Sequence, residues 1–426
     1  MDDFSYIDGK LYAEGTAVDD IITQTGTPAY IYSRNTLENH YRRTAEAFAP
    51  LRPIICYSIK SCGNLAILRA LAGLGSGFDV VSGGELFRAL QAGGDPKGIV
   101  FAGVGKTDSE INEALDADIL LFNIESEAEF WNIDRICGLR GKTARGALRV
   151  NPDVASAGTH VKTLTGKKET KFGVDIDRAA AFYRDAARAR HLSLSGLHLH
   201  IGSPIKSVQP YVDAITKALG LMDELAREGI VIDTLDIGGG FAAFYEGNEA
   251  PSAADYAAAI VPLLRDRRLK IILEPGRSIS CNAGILVSRV TYTKQGGSKQ
   301  FVIADAAMND LIRPTLYESY HFIWPVNPGG ALTPPHRGSS LRTAGDQKVD
   351  VVGPVCESGD YLAKDRYLPP LKRGDLIAVF SAGAYGFAMS SQYNARPRAA
   401  EVLVSGREWR VVRRRETYHD LIAAEL

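Results

Sequence analysis

The chain has no excess of charge of either sign, no closely spaced cysteines and no long apolar run, and each absence closes off a class of function. Its 426 residues hold 49 basic and 50 acidic side chains, a net charge of −1. That balance suits neither nucleic acid nor an anionic membrane surface as a partner. No stretch approaches the roughly 18 apolar residues of a membrane-spanning helix. Met1 to Lys10 lacks the basic start and apolar core of an export signal. The five cysteines, Cys56, Cys62, Cys137, Cys281 and Cys356, are odd in number and scattered, without the spacings of a zinc site. They fit free thiols in a reducing compartment, so a cytoplasmic location is expected. With 45% hydrophobic and 23% charged residues, the chain reads as an ordinary globular protein, too long for one small core and expected to form two domains.

What is present is an alternation. Eight short apolar runs, Ile54 to Ile59, Phe78 to Val81, Ile99 to Ala102, Ile119 to Phe122, Gly146 to Val150, Ser195 to His200, Thr234 to Ile237 and Lys270 to Leu273, read as strands. Helical patterns such as Gly84 to Ala92, Glu125 to Cys137 and Pro210 to Glu228 lie between them. Eight strand–helix units predict an α/β fold, a closed (β/α)8 barrel of the TIM type over residues 26–280, with a doubly wound open sheet as the alternative. After Cys281 the pattern turns to β-rich stretches without regular helices, among them Ile285 to Thr293, Phe301 to Ala304, Val349 to Val355, Leu376 to Phe380 and Glu401 to Val404. These predict a mostly antiparallel β-domain over 281–426. Residues 1–25, with a hairpin over Phe4 to Ala13 turning at Asp8-Gly9, are expected to complete it. Gly329 to Asp346, rich in Gly, Pro, Ser and Thr, reads as a long loop. There are no repeats beyond the alternation and no low-complexity tract.

In a barrel of this kind chemistry is carried where the strands end, at the C-terminal rim. Those ends are polar here. The first run ends in Lys60, a cationic side chain costly to bury; desolvation lowers an amine's pKa and makes it available for a Schiff base, whereas a strand-end lysine can also reach back to solvent. The second leads into Ser82-Gly83-Gly84-Glu85, the fourth and fifth end at Asn123 and Asn151, and the sixth at His198-Leu199-His200. His198 and His200 share a face; with no third ligand evident nearby, stacking on a ring is favoured over metal, and no metal is expected. Gly238-Gly239-Gly240 after the seventh run is a tight turn or an anion nest. Glu274 and Arg277 after the eighth form either a mutual ion pair or one contact each to a cationic ring nitrogen and an anion.

A Schiff-base lysine, a phosphate nest, a carboxylate for a pyridinium nitrogen and a histidine to stack converge on pyridoxal phosphate. The residues also form ordered motifs. Tyr57-Ser58-Ile59-Lys60, Phe78-Asp79-Val80-Val81-Ser82-Gly83-Gly84-Glu85-Leu86, His200-Ile201-Gly202-Ser203, Gly238-Gly239-Gly240, Glu274-Pro275-Gly276-Arg277, Met308-Asn309-Asp310-Leu311-Ile312-Arg313-Pro314 and Cys356-Glu357-Ser358-Gly359-Asp360 span nearly the whole chain. Together they resemble the diaminopimelate decarboxylases, which share their fold with alanine racemase.

The resemblance implies a role for each position. Lys60 would carry the Schiff base and His200 would stack on the cofactor ring. Asp79, Ser203, Gly238, Gly239, Gly240, Arg277 and Tyr385 would surround the cofactor, and Glu274 would face its pyridine nitrogen. A racemase of this fold has an arginine there, so Glu274 favours decarboxylation. Cys356 would protonate the carbon that loses CO2, from across a homodimer with shared sites. Arg277, Arg313, Tyr317, Glu357 and Tyr385 would meet the substrate; two guanidinium groups suit a distal carboxylate and Glu357 a distal ammonium. The implied reaction converts meso-2,6-diaminopimelate to L-lysine and CO2, the last step of lysine synthesis. One departure is Pro204, where many relatives have Gln; proline supplies neither a backbone N–H nor an amide. A decarboxylase acting on another basic or dicarboxylic amino acid is therefore the alternative. A non-catalytic decarboxylase-like regulator is a second, opposed by the presence of both Lys60 and Cys356.

Overall fold

The computed structural model describes residues 2–154, 170–246, 250–329, 342 and 344–426. The chain divides into two compact units, one comprising Tyr41–Ala242 and Ala250–Ser278, the other Met1–His40, Ala243–Glu249 and Ile279–Leu426.

The first unit is the expected barrel. Its strands are Ile54–Ser58, Gly77–Val80, Ile99–Phe101, Leu121–Ile124, Ala144–Asn151, Leu192–His198, Thr234–Asp236 and Lys270–Leu273. Each pairs in parallel with the next, and the eighth pairs with the first, which closes the sheet and leaves no edge. Cys56, Val100, Leu121, Ala147 and Ile272, from five strands, pack into one buried cluster. The helices start where the sequence supplies caps. Ser82 accepts from the Glu85 N–H and Ser126 from the Glu129 N–H, while Thr107 with Glu110 and Ser252 with Asp255 form capping boxes.

Several strand ends differ from expectation by one to three residues, the sixth strand ending at His198 and leaving His200 beyond it, and two further shifts bear on the site. The first strand stops at Ser58, and Lys60 sits on a single 3-10 turn, Ile59–Ser61. The fourth strand runs two residues later than expected, because Asp118 ends the preceding helix in a left-handed conformation and the Ile119 N–H still bonds back to Ala114. Asn123 is therefore buried within the strand and does not follow it.

In the second unit a nine-stranded sheet is built on the long strand Gly284–Gly296, which pairs antiparallel with Lys299–Ala304, Leu376–Val379 and Ala29–Ser33. The sheet is mixed: Ala29–Ser33 runs parallel to Ala400–Ser405, and Lys299–Ala304 parallel to Gln347–Val352. Residues 26–40, which the sequence reading placed in the barrel, lie in this unit instead. Ala29–Ser33 is buried at every position, as a strand covered on both faces and paired on both edges should be. The hairpin over Phe4–Ile7 and Lys10–Ala13 forms as expected, with positive φ at both Asp8 and Gly9. It makes its own small sheet with Thr16–Ala17 and does not join the large one. The expected loop Gly329 to Asp346 lies almost wholly outside the described residues. No helix among the described residues is long and apolar enough to cross a membrane.

Candidate active site

At the C-terminal rim of the barrel, Lys60 Nζ lies 2.8 Å from Asp79 Oδ2, and the Ser58 hydroxyl donates to the same oxygen. Asp79 is wholly buried, whereas the Lys60 side chain remains one-third exposed. Of the two readings left open for Lys60, burial or a reach back to solvent, the fold lies nearer the second: the lysine sits on the short turn after the strand and stays partly exposed, and the buried charge is its partner's. Burial, with Glu274 adding to it, raises the Asp79 pKa against the opposing pull of Lys60 and Ser58.

Glu274 lies at the end of the eighth strand, buried. Asn123 Nδ2 donates to its Oε1 at 2.9 Å, and His198 Nε2 stands 3.4 Å from its Oε2. Burial acts to raise its pKa, but His198 and Lys60 outweigh it and hold the group well below the usual carboxylate range. His200 is pushed the other way: burial first, then Arg149 and Lys60, keep its imidazole neutral. Its Nδ1 accepts the Gly239 N–H at 3.4 Å. A neutral, hydrogen-bonded ring is suited to stacking.

The glycine triplet is more than a tight turn. Gly238 and Gly240 have φ of 71° and 95°, and no side chain fits at any of the three positions. A Cβ on Gly238 would lie 2.2 Å from the Leu199 carbonyl oxygen, on Gly239 2.2 Å from that of Glu274, and on Gly240 2.3 Å from that of Gly202. The ends of three strands thus meet backbone to backbone and leave a turn bare of side chains, which lets a phosphate approach the backbone more closely than a substituted turn would. Nearby, Arg277 Nε donates to Ser203 Oγ at 3.1 Å. Glu274 and Arg277 are not a mutual pair: Asn123 donates to one Glu274 oxygen and His198 stands beside the other. These groups fit pyridoxal phosphate: an amine at the rim, an ionised buried carboxylate, a neutral ring and a cradle without side chains.

His198, His200 and Glu274 bring ligating atoms within 4.8 Å of one another. The third metal-ligand candidate that sequence spacing did not show thus exists in space, supplied by the eighth strand. One of its oxygens nonetheless already accepts from Asn123, and His200 Nδ1 accepts a backbone hydrogen bond. Other buried polar residues had been passed over. Asp236, inside the apolar run Leu235-Asp236-Ile237, accepts from the Gly238 N–H at 2.9 Å and lies 3.3 Å from Asn123 Nδ2. Arg149 pairs with Glu125 at 2.9 Å and lies 4.7 Å from the Phe172 ring. A charged residue within an apolar strand was the available signal for both. A cleft at the opposite rim, lined by Asp116, Lys142, Arg145 and Asp233 among others, has these charges paired with one another.

In the second unit Arg313 is buried, and its guanidinium lies 5.4, 5.6 and 5.8 Å from the ring centroids of Tyr245, Tyr317 and Tyr385. Nη2 donates to Ser319 Oγ at 3.1 Å, while Nε has no hydrogen-bond partner among the described residues. Tyr385 holds φ of 56°, uncommon for a residue with a side chain and met most often where function demands it. Cys356 is exposed, unlike the other four cysteines. Its turn is tied down: Asp360 accepts from the N–H groups of Met308 and Val355, each at 2.7 Å, and the Cys356 N–H donates to Asn394. Glu357 accepts a hydrogen bond from the Tyr393 hydroxyl.

Residues 34–281 match the family described as "Pyridoxal-dependent decarboxylase, pyridoxal binding domain". A diaminopimelate decarboxylase of Pseudomonas aeruginosa is 49% identical over 425 residues, covering 100% of this chain and 99% of its own. The crystal structure of diaminopimelate decarboxylase from Helicobacter pylori complexed with L-lysine aligns with a TM-score of 0.88 at 40% identity, over 96% of this chain and 98% of that one. That from M. jannaschii in complex with L-lysine aligns with a TM-score of 0.91 at 35% identity, over 100% and 98%. With its barrel, its rim of lysine, carboxylate and glycine cradle, and these likenesses over its full length, the chain belongs to the diaminopimelate decarboxylases, carboxy-lyases that depend on pyridoxal phosphate.

Proposed function

We propose that the chain converts meso-2,6-diaminopimelate to L-lysine and CO2 in the cytoplasm, as the last step of lysine synthesis, in a homodimer whose sites are shared. The observation that carries the reaction class is Glu274, buried, hydrogen-bonded by Asn123, beside His198 and held ionised. Bound pyridoxal phosphate supplies a sink for the electron pair left behind when CO2 departs, and the sink is strongest with its ring nitrogen protonated. An ionised carboxylate keeps that proton in place.

Lys60 is the point of covalent attachment, steadied by Asp79. Gly238, Gly239 and Gly240 would hold the phosphate together with Ser203 and Arg277, and His200 would hold the cofactor ring by stacking. Release of CO2 is balanced by one proton delivered to the same carbon. Cys356 gives it, from the partner protomer; its exposed and tethered turn supports a group that acts outside its own unit. Arg313 takes the distal carboxylate. A guanidinium already desolvated among three tyrosines, with its Nε unpaired among the described residues, gains strongly from a bidentate anion. Tyr317 and Tyr385 wall that group, and Glu357 meets the distal ammonium.

CO2 release from meso-diaminopimelate, ornithine, arginine and lysine, compared side by side, tests the assignment. Diaminopimelate is expected to be the preferred substrate by at least about a thousandfold in kcat/KM, since a site built around a buried polar group rejects analogues that leave it unpaired. Equal or greater turnover of ornithine would sink the substrate.

A further inference from the structure

The proposed mechanism uses Glu274 and leaves two neighbours without a task. Asn123, wholly buried in the fourth strand, points one amide at two carboxyl groups: 2.9 Å to Glu274 Oε1 and 3.3 Å to Asp236 Oδ2. Asp236, wholly buried in the seventh strand, has its other oxygen on the Gly238 N–H, at the start of the phosphate cradle. We propose that Asn123 and Asp236 are positioning residues, which between them fix the Glu274 carboxylate for its task at the cofactor's ring nitrogen. The proposal rests on the role given to Glu274 above.

The geometry sets the charge state. Two carboxylates around one amide donor, both out of water, cannot both be ionised at tolerable cost, so one keeps a proton. His198 stands beside Glu274, and Asn123 makes its shorter bond there. The charge therefore resides on Glu274 and the proton on Asp236. Burial first, then the Glu274 charge and a hydrogen bond with it, raise the Asp236 pKa well above the carboxylate range. A neutral Asp236 can donate to Glu274 while still accepting from Gly238, which ties the cradle to the carboxylate. Asn123 is itself anchored, since Lys106, its side chain almost wholly buried and paired with Glu129, donates to the Asn123 carbonyl at 2.8 Å. The fourth, seventh and eighth strands thus meet through one hydrogen-bonded set, in which each member restricts the others.

Near-isosteric variants separate this role from a structural one. Asp236→Asn keeps an acceptor for Gly238 and a donor for Glu274, so it should hold kcat within about threefold, with cofactor affinity and the pH profile of the holoenzyme's absorbance unchanged. Asn123→Asp places a third carboxyl against Glu274. It should lower kcat by about tenfold to a hundredfold, the loss typical when an orienting partner is removed. It should also displace the absorbance profile along pH and leave KM within about threefold. Asp236→Leu should match Asn123→Asp in kcat and weaken cofactor binding to the apoprotein. The proposal is overturned if Asp236→Asn is as damaging as Asp236→Leu, which would mean that charge at 236 is needed, or if Asn123→Asp leaves kcat and the absorbance profile at wild-type values. Should Asp236→Leu fail to fold, the first two variants decide. Glu274→Gln run in parallel separates the two layers: if it behaves as wild type, the role of Glu274 falls and the positioning role with it; if it is impaired while Asn123→Asp is not, only the positioning role falls.

Discussion

Single residues here are set by what surrounds them more than by their own chemistry. Asp79, Asp236 and Glu274 are all wholly or almost wholly buried, yet burial prevails in the first two and pushes them up, while neighbours overcome it in the third and hold it down. Cys356 is exposed, and in its proposed role as proton donor we expect Cys356→Ala to keep full cofactor content with turnover reduced by about two to four orders of magnitude, the usual worth of a positioned general acid. Near-normal turnover would take the cysteine out of that role. Asp310 offers a test of stability. Burial raises its pKa to about 7, against the Ala307 N–H and Arg396. In the unfolded chain it ionises near pH 4, so between about pH 4 and pH 7 the unfolded state releases its proton first and stability falls as pH rises. Asp310→Asn keeps the acceptor and removes this loss. Its Tm should exceed wild type at pH 8 and approach it at pH 5, measured by scanning calorimetry. The same difference at both pH values would refute the assignment.

At the scale of elements, what matters is where strands stop. The eight strand–helix units were legible because period-2 and period-3.6 patterns, with caps at Ser82, Thr107, Ser126 and Ser252, leave little choice locally. Ends were less legible. Lys60 on its 3-10 turn and Asn123 inside its strand both moved by a residue or two, since ends depend on hydrogen bonds to neighbouring strands that composition does not encode. The glycine cradle shows the same dependence, each position being closed by a carbonyl from another element. Gly239→Ala is expected to push on the Glu274 backbone and to weaken cofactor binding at least about tenfold, a cost of the order of 1.4 kcal/mol or more. Fluorescence titration of the apoprotein measures it, and an unaltered dissociation constant would exclude the cradle as the phosphate site.

Across the whole molecule, chemistry is divided between two kinds of scaffold. The closed barrel carries the residues proposed to hold the cofactor, and the second unit carries Arg313, Tyr385 and the Cys356 turn. If each site takes Lys60 from one protomer and Cys356 from the other, inactive variants should complement. Equal amounts of Lys60→Ala and Cys356→Ala chains, unfolded and reassembled together, would form half heterodimers, each with one intact site of two. About a quarter of wild-type activity should return. No recovery, with heterodimers demonstrated by mass, would confine each site to one protomer.

The sequence alone determined the barrel, the change to β-structure after Cys281, the cofactor and the ordered motifs, because periodicity and residue type at strand ends are local properties written in the chain. It left open whether Glu274 pairs with Arg277, and it did not show that Ala29–Ser33 belongs to the second unit. Tertiary structure decided these. Each turns on which carbonyl, amide or carboxyl arrives from a distant strand, and on how far burial there favours one charge state over another.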